Sequence, residues 1–197
     1  MMEKGLLIVV SGPSGAGKGT ICKQLLKDAK QVNYSISATT RLPRKGEQDG
    51  KDYLFLTREE FLEMRDDSAF LEWAEVYGNF YGTPQKNVEE QLSKGTDVIL
   101  EIDIQGALQI KKKFPEAIFI FIVPPSLEEL ETRINRRGTD SREVIRKRLH
   151  SASKELEYVS EYDYVVINDI LDMAVERVKA IITAEKCRPH RKQIIFN

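Results

Sequence analysis

Leu6-Leu7-Ile8-Val9-Val10-Ser11-Gly12-Pro13-Ser14-Gly15-Ala16-Gly17-Lys18-Gly19-Thr20 decides the fold. Its first part is an unbroken apolar run of strand length, and its second has the form Gly, four residues, Gly, Lys. A helix period follows at once, with Ile21, Cys22, Leu25, Leu26 and Ala29 on one face. Strand, glycine turn and helix in this order let successive backbone N–H groups turn inward around phosphate oxygens, and the helix dipole adds to the attraction. Gly12, Pro13, Ser14, Gly15, Ala16, Gly17, Lys18, Gly19 and Thr20 are therefore the expected phosphate cradle. Lys18 is expected to reach the β- and γ-phosphates. Gly19 stands where this motif usually has Ser or Thr, so the direct hydroxyl ligand for magnesium is missing, and Thr20 is the next candidate to hold the ion or the α-phosphate.

Further apolar runs recur along the chain. Val98 to Ile102, Ile118 to Val123 and Tyr164 to Ile167 predict core strands apolar on both faces, as in a parallel sheet covered by helices on each side. Ser126-Leu127-Glu128-Glu129 is a capping box that opens a helix running to Arg137, and Asp172 to Lys186 predicts a closing helix with Met173, Val175, Val178, Ile181 and Ile182 available for burial. The fold class is α/β, a three-layer domain. Its 197 residues contain 41% apolar and 31% charged side chains, enough for a core. Lys and Arg total 30 against 31 Asp and Glu, which argues against holding nucleic acid by bulk charge. The longest apolar run, Ala117 to Val123, is far short of the roughly 20 residues that span a bilayer. Cys22 and Cys187 have no partner pattern, and no leader pattern precedes the glycine motif. A soluble protein of a reducing compartment, the cytoplasm, is expected, with no zinc site.

From about Ser35 to Lys86 the rhythm breaks. Turn-rich Leu42 to Gly46 and Gln48 to Gly50 precede short alternating segments at Tyr53 to Leu56 and Phe70 to Val76, and Thr57-Arg58-Glu59-Glu60 is a second capping box. Tyr53, Phe55, Phe61, Phe70, Trp73, Tyr77, Phe80 and Tyr81 lie here, so the stretch is expected to be an inserted α+β subdomain with its own core. Ser35 to Arg44 is dense in hydroxyls and ends in Arg41 and Arg44, whose guanidinium forks suit phosphate oxygens, although basic turns are common. Val98 to Asp103 ends in carboxylates. Strand alternation puts Glu101 and Asp103 on one side, at the end of the sheet where ligands bind, and an acid there can hold magnesium through water. Arg133, Arg136, Arg137, Arg142, Arg146 and Arg148 are six of thirteen arginines, set around Gly138-Thr139. They fit either a lid closing over a transferring phosphoryl group or a solvated helix face with Glu143.

Several motifs together resemble the guanylate kinase family. They are Gly-Pro-Ser-Gly-x-Gly-Lys, Ser37 to Glu47, Gly50-Lys51-Asp52-Tyr53, Leu71-Glu72-Trp73-Ala74, Asn79-Phe80-Tyr81-Gly82-Thr83, Ile102 to Gly106 and Arg136-Arg137-Gly138. The likeness runs from about Leu7 to Lys186. It implies a core at 1–34, 88–125 and 155–197, a GMP-binding subdomain at 35–87, and a lid at 126–154. The implied reaction moves a phosphoryl group from ATP to GMP with magnesium. By resemblance, Ser37, Arg41, Arg44 and Tyr81 hold the GMP phosphate with Tyr53 beside them, and Glu72, Thr83 and Asp103 contact guanine. Glu101 lies near the metal, Arg133, Arg137 and Arg148 are lid arginines, and Asn168 is near the ATP base. Thr83 stands where relatives often have Ser, which keeps the hydroxyl. On the residues alone, Glu72 fits a solvent-facing strand position equally well.

The mechanism expected from this reading is in-line transfer without a covalent intermediate. It rests on positioning and on charge neutralisation by Lys18, magnesium, Arg41 and the lid arginines. A kinase for another monophosphate and a non-catalytic module that binds peptides are the competing readings. The latter typically loses the phosphate loop, which this chain keeps.

Overall fold

The computed structural model describes residues 4–28, 31–76, 78–136 and 142–191. Ala29, Tyr77, Arg137, the Gly138-Thr139 tip and Lys192 lie outside them, as do the side chains of Arg136, Arg142, Glu143, Arg146 and Arg148. In chain order the elements are β1 (Leu7–Ser11), α1 (Lys18–Asp28), β2 (Val32–Tyr34), β3 (Ala38–Thr39), β4 (Leu54–Phe55), α2 (Arg58–Asp66), β5 (Phe70–Val76) and β6 (Asn79–Pro84). There follow α3 (Gln85–Ser93), β7 (Asp97–Glu101), α4 (Ile104–Lys113), β8 (Ile118–Val123), α5 (Leu127–Arg136), α6 (Arg142–Leu156), β9 (Tyr164–Ile167) and α7 (Leu171–Lys186). No helix among the described residues is long and apolar enough to cross a membrane.

Side-chain alternation along β1 explains the layering. Ile8 and Val10 point to one face and pack with Ile21 and Leu25 of α1 and Val175 and Val178 of α7. Leu7 and Val9 point to the other, against Val88 and Leu92 of α3 and Ala107 and Ile110 of α4. The sheet is all parallel, in the order β2-β7-β1-β8-β9. Because β1 is central and the chain order reverses beside it, the glycine loop opens at the carboxyl ends of the strands, where ligands of such sheets bind.

Several expectations need correction. β9 is apolar in sequence but sits at the edge, so Val166 is buried while Val165 and Ile167 are each about half exposed (50% and 49%). On α7 the same edge leaves Met173 exposed, and Ala174 fills the core instead. The strand expected at Val98 to Ile102 runs one residue earlier. The Ser126 box is half made: Ser126 Oγ accepts from the Glu129 N–H (3.1 Å), while the Glu129 carboxylate accepts from Arg133 Nε (2.8 Å). The Thr57 box is complete. Glu185 is buried, and Arg188 (2.8 Å) and Arg191 (3.2 Å) pair with it, because a buried carboxylate requires cations.

The second sheet, β4-β3-β6-β5, has its own core of Ala38, Phe61, Phe70 and Phe80. Phe61 stacks on Phe70 and Phe80 with ring centres 4.5 and 5.3 Å apart. This separate cluster is what the concentration of aromatics in the sequence announced. In α5 and α6, Leu130, Ile134 and Ala152 form a small fourth cluster.

Candidate active site

A cleft of about 880 Å³ lies between the glycine loop and the second sheet. On the loop side, Gly12, Gly15 and Gly17 all have positive φ (135°, 94° and 92°), which turns the backbone into a concave cradle. Gly17 has a second constraint, since a Cβ there would lie 2.3 Å from Asn168 Nδ2. Ala16 is buried, and its carbonyl accepts from Asn168 Nδ2 (2.7 Å), which ties the loop to the end of β9. Lys18 Nζ donates to the carbonyls of Gly12 (2.6 Å) and Pro13 (3.2 Å). Burial pushes the ammonium pKa down, while the nearby carboxylates of Glu101, Glu155 and Asp103 oppose that shift. Ser14, Gly19 and Thr20 line the same cleft.

Glu101 ends β7 and accepts from the Tyr34 hydroxyl (3.0 Å). Asp103 is not the next alternate strand residue, as the spacing had suggested. It is the N-cap of α4 and accepts from the Gly106 N–H (2.8 Å). Both carboxylates nevertheless border the cleft. Burial raises the Asp103 pKa, against the Gly106 N–H and the charge of Lys18.

Across the cleft, Ser37, Arg44, Tyr53 and Tyr81 line the wall formed by the second sheet and its loops. Arg41 is held in an aromatic and acidic bracket. Its guanidinium donates to both oxygens of Glu47 (2.9 and 3.0 Å) and lies 5.2 Å from the Tyr53 ring centre. The Arg44 N–H also donates to Glu47 (2.7 Å), so one carboxylate organises both arginine positions. Glu47 was visible in the sequence within the Arg-rich turn, but spacing alone gave it no task.

Glu72 settles the alternative left open by the sequence. It is 3% exposed, pairs across the strands with Thr83, and accepts from the Thr83 hydroxyl (2.6 Å). Burial pushes its pKa up to about 7, with Asp103 adding to the rise and the Thr83 hydroxyl opposing it. Glu72 and Asp103 thus both line the cleft, each with its carboxyl pKa raised by burial. Two further cleft residues escaped the sequence reading. Tyr34 lies on the short strand β2, and Glu155 comes from α6, far along the chain. Arg133 and Asn168 belong to an adjoining recess of about 330 Å³, together with Gly15, Gly17 and Thr20. There Arg133 donates to the Asn168 carbonyl (3.0 Å). Arg137 and the Arg148 side chain lie outside the described residues.

A central parallel sheet whose first strand leads through Gly-x4-Gly-Lys into a helix is the architecture of the P-loop nucleotide-binding proteins. The sequence model of the guanylate kinase family matches residues 4–185. A guanylate kinase of Desulfitobacterium hafniense is 62% identical over 192 residues, 98% of this chain and 96% of the relative, and one of Caldanaerobacter subterraneus is 61% identical over 194 residues, 98% and 94%. A crystal structure of guanylate kinase from Anaplasma phagocytophilum superposes with a TM-score of 0.83 at 38% identity, covering 96% of this chain and 90% of that one. The chain belongs to the guanylate kinase family.

Proposed function

We propose that this protein transfers the γ-phosphoryl group of ATP to GMP, giving ADP and GDP, and so returns GMP to the purine nucleotide pool of the cytoplasm. The observation that carries the base assignment is the buried carboxylate of Glu72, held by the Thr83 hydroxyl and lining the same cleft as Lys18. Guanine presents adjacent donors, N1–H and the 2-amino group, which one carboxylate accepts together. Adenine has an acceptor at N1 and would leave that carboxylate facing a lone pair, a strong basis for rejection.

In this reading the loop amides from Gly12 to Thr20 and Lys18 hold the ATP phosphates, Arg133 and Arg137 bind ATP from the lid, and Asn168 lies beside the ATP base. Ser37, Arg41, Arg44, Tyr53 and Tyr81 hold the GMP phosphate, and Glu72, Thr83 and Asp103 read the base. Residues 35–87 act as the GMP-binding subdomain, 126–154 as a lid that carries Arg133, Arg137 and Arg148, and the remainder as the core. The residues fit a magnesium ion bound through water. A Cβ at Gly19 would sit 3.2 Å from a Glu101 oxygen, so the acid takes the space in which the usual hydroxyl would stand, with Thr20 close by in the loop. Magnesium bound with ATP supplies charge neutralisation between the phosphates. The protein's own contribution is alignment of the two phosphates, exclusion of water, and cationic charge from Lys18 and the arginines. Assaying ADP formation with GMP, AMP and UMP as acceptors tests the reading. GMP is expected to dominate by kcat/KM, and equal rates with AMP would end it.

A further inference from the structure

β5 is the edge strand of the second sheet, so one side of its backbone has no partner strand. α4 covers that side. Gln109 Oε1 accepts from the Trp73 N–H (3.3 Å), and Gln109 Nε2 donates to the Trp73 carbonyl (2.7 Å), so one carboxamide does the work of a neighbouring strand. One helical turn further, Lys113 Nζ donates to the Leu71 carbonyl (2.6 Å). Gly106 is one turn earlier on the same helix face, and a Cβ there would lie 2.3 Å from Glu72 Oε2. Gly106, Gln109 and Lys113 therefore grip the three consecutive residues Leu71, Glu72 and Trp73.

The grip falls on an irregularity. β5 pairs Phe70 with Pro84 but Glu72 with Thr83, so its register shifts at Leu71. Bulges of this kind re-aim side chains. Leu71 joins the cluster of the main sheet, while Phe70 and Trp73 both pack in the second core, three residues apart, which strict alternation would forbid. Glu72 points into the cleft because the register changes just before it.

We infer that Gln109 is a positioning residue for base selection: by holding both backbone groups of Trp73 it fixes the β5 register that directs the Glu72 carboxylate into the cleft beside Asp103. The inference rests on the reading of Glu72 as the residue that accepts from guanine. Gln109 touches no substrate in this scheme and acts through the strand edge.

The test compares GMP with IMP, which keeps N1–H and lacks the 2-amino group. Gln109→Met keeps length and helix propensity and removes both hydrogen bonds. The GMP-to-IMP ratio of kcat/KM should fall about tenfold, through KM for GMP, with kcat and KM for ATP within about twofold. A parallel rise in both KM values with a lowered melting temperature, or an unchanged ratio, overturns the inference. Gln109→Glu serves where Gln109→Met does not fold. It retains the acceptor for the Trp73 N–H but turns a carboxylate oxygen toward the Trp73 carbonyl, and its ratio should also fall. Glu72→Gln is the control: if it leaves the ratio intact, the guanine reading fails and takes the inference with it. If Glu72→Gln collapses the ratio and neither Gln109 variant moves it, only the role of Gln109 is lost.

Discussion

The two walls of the cleft are built by different means. The phosphate loop is made of backbone from one short contiguous stretch, and its shape follows from three glycines with positive φ between a strand and a helix. The opposite wall is made of side chains gathered from loops and strands spread between Ser37 and Asp103. Its acids are buried, so they acquire perturbed protonation and depend on partners such as Thr83 and the Gly106 N–H. A backbone cradle tolerates change in its neighbours, whereas a side-chain cradle inherits every error of strand register.

If this contrast holds, Lys18, the charged side chain of the backbone wall, should affect rate without affecting acceptor affinity. Lys18→Ala is expected to lower turnover on the order of 10³-fold while the Kd of GMP, measured by calorimetry, stays near that of the parent. Weakened GMP binding would show that the two walls are coupled. The next largest effect concerns pH. The acceptance of two guanine donors requires ionised Glu72, and with its pKa at about 7 the KM for GMP should rise about tenfold from pH 8 to pH 6. In Glu72→Gln that slope should vanish. Stability runs in the opposite sense: the folded chain keeps this proton up to about pH 7, the unfolded chain only through the ordinary carboxylate range. The associated stabilisation is present in acid and is lost as pH rises through 7, so Glu72→Gln should be more stable than the parent at pH 8 by up to about 3 kcal/mol, read as a higher melting temperature. The smallest effect is expected at Lys23, whose exposed ammonium pairs with Asp52 (3.2 Å) across the mouth of the cleft. Lys23→Ala should change stability by less than about 0.5 kcal/mol and leave both KM values within about twofold. A larger change would make this bridge a latch between the walls.

The loop wall was legible because its determinants are neighbours in sequence: Gly12 to Thr20 can be read in one pass, together with the apolar strand before it. The layering of the main sheet followed from uninterrupted runs such as Ile118 to Val123. The readings that failed concern edges and shifts. Nothing in Tyr164 to Ile167 distinguishes a central strand from an edge strand, yet only the edge leaves Val165 and Ile167 exposed. β3 and β6 were missed because the one is two residues long and the other contains Gly82 and Pro84. Glu72 by simple alternation suited water as well as a pocket, and the register shift that decides the matter depends on α4, more than thirty residues away in sequence. Glu155 and Tyr34 reach the cleft through tertiary packing, which leaves no local signature.

Leu71 lies among Leu7, Val9, Leu100 and Ile110 of the main sheet's cluster, while Phe70 before it and Trp73 two residues on belong to the other core. A chimaera that exchanged only residues 35–87 with a relative of different acceptor choice would therefore bring a foreign β5 against the native helix. The heritable unit of nucleobase preference is larger than the insert: lineages that switch acceptor should carry matched changes on the α4 face, and engineers who graft one without the other should obtain a folded protein that discriminates poorly.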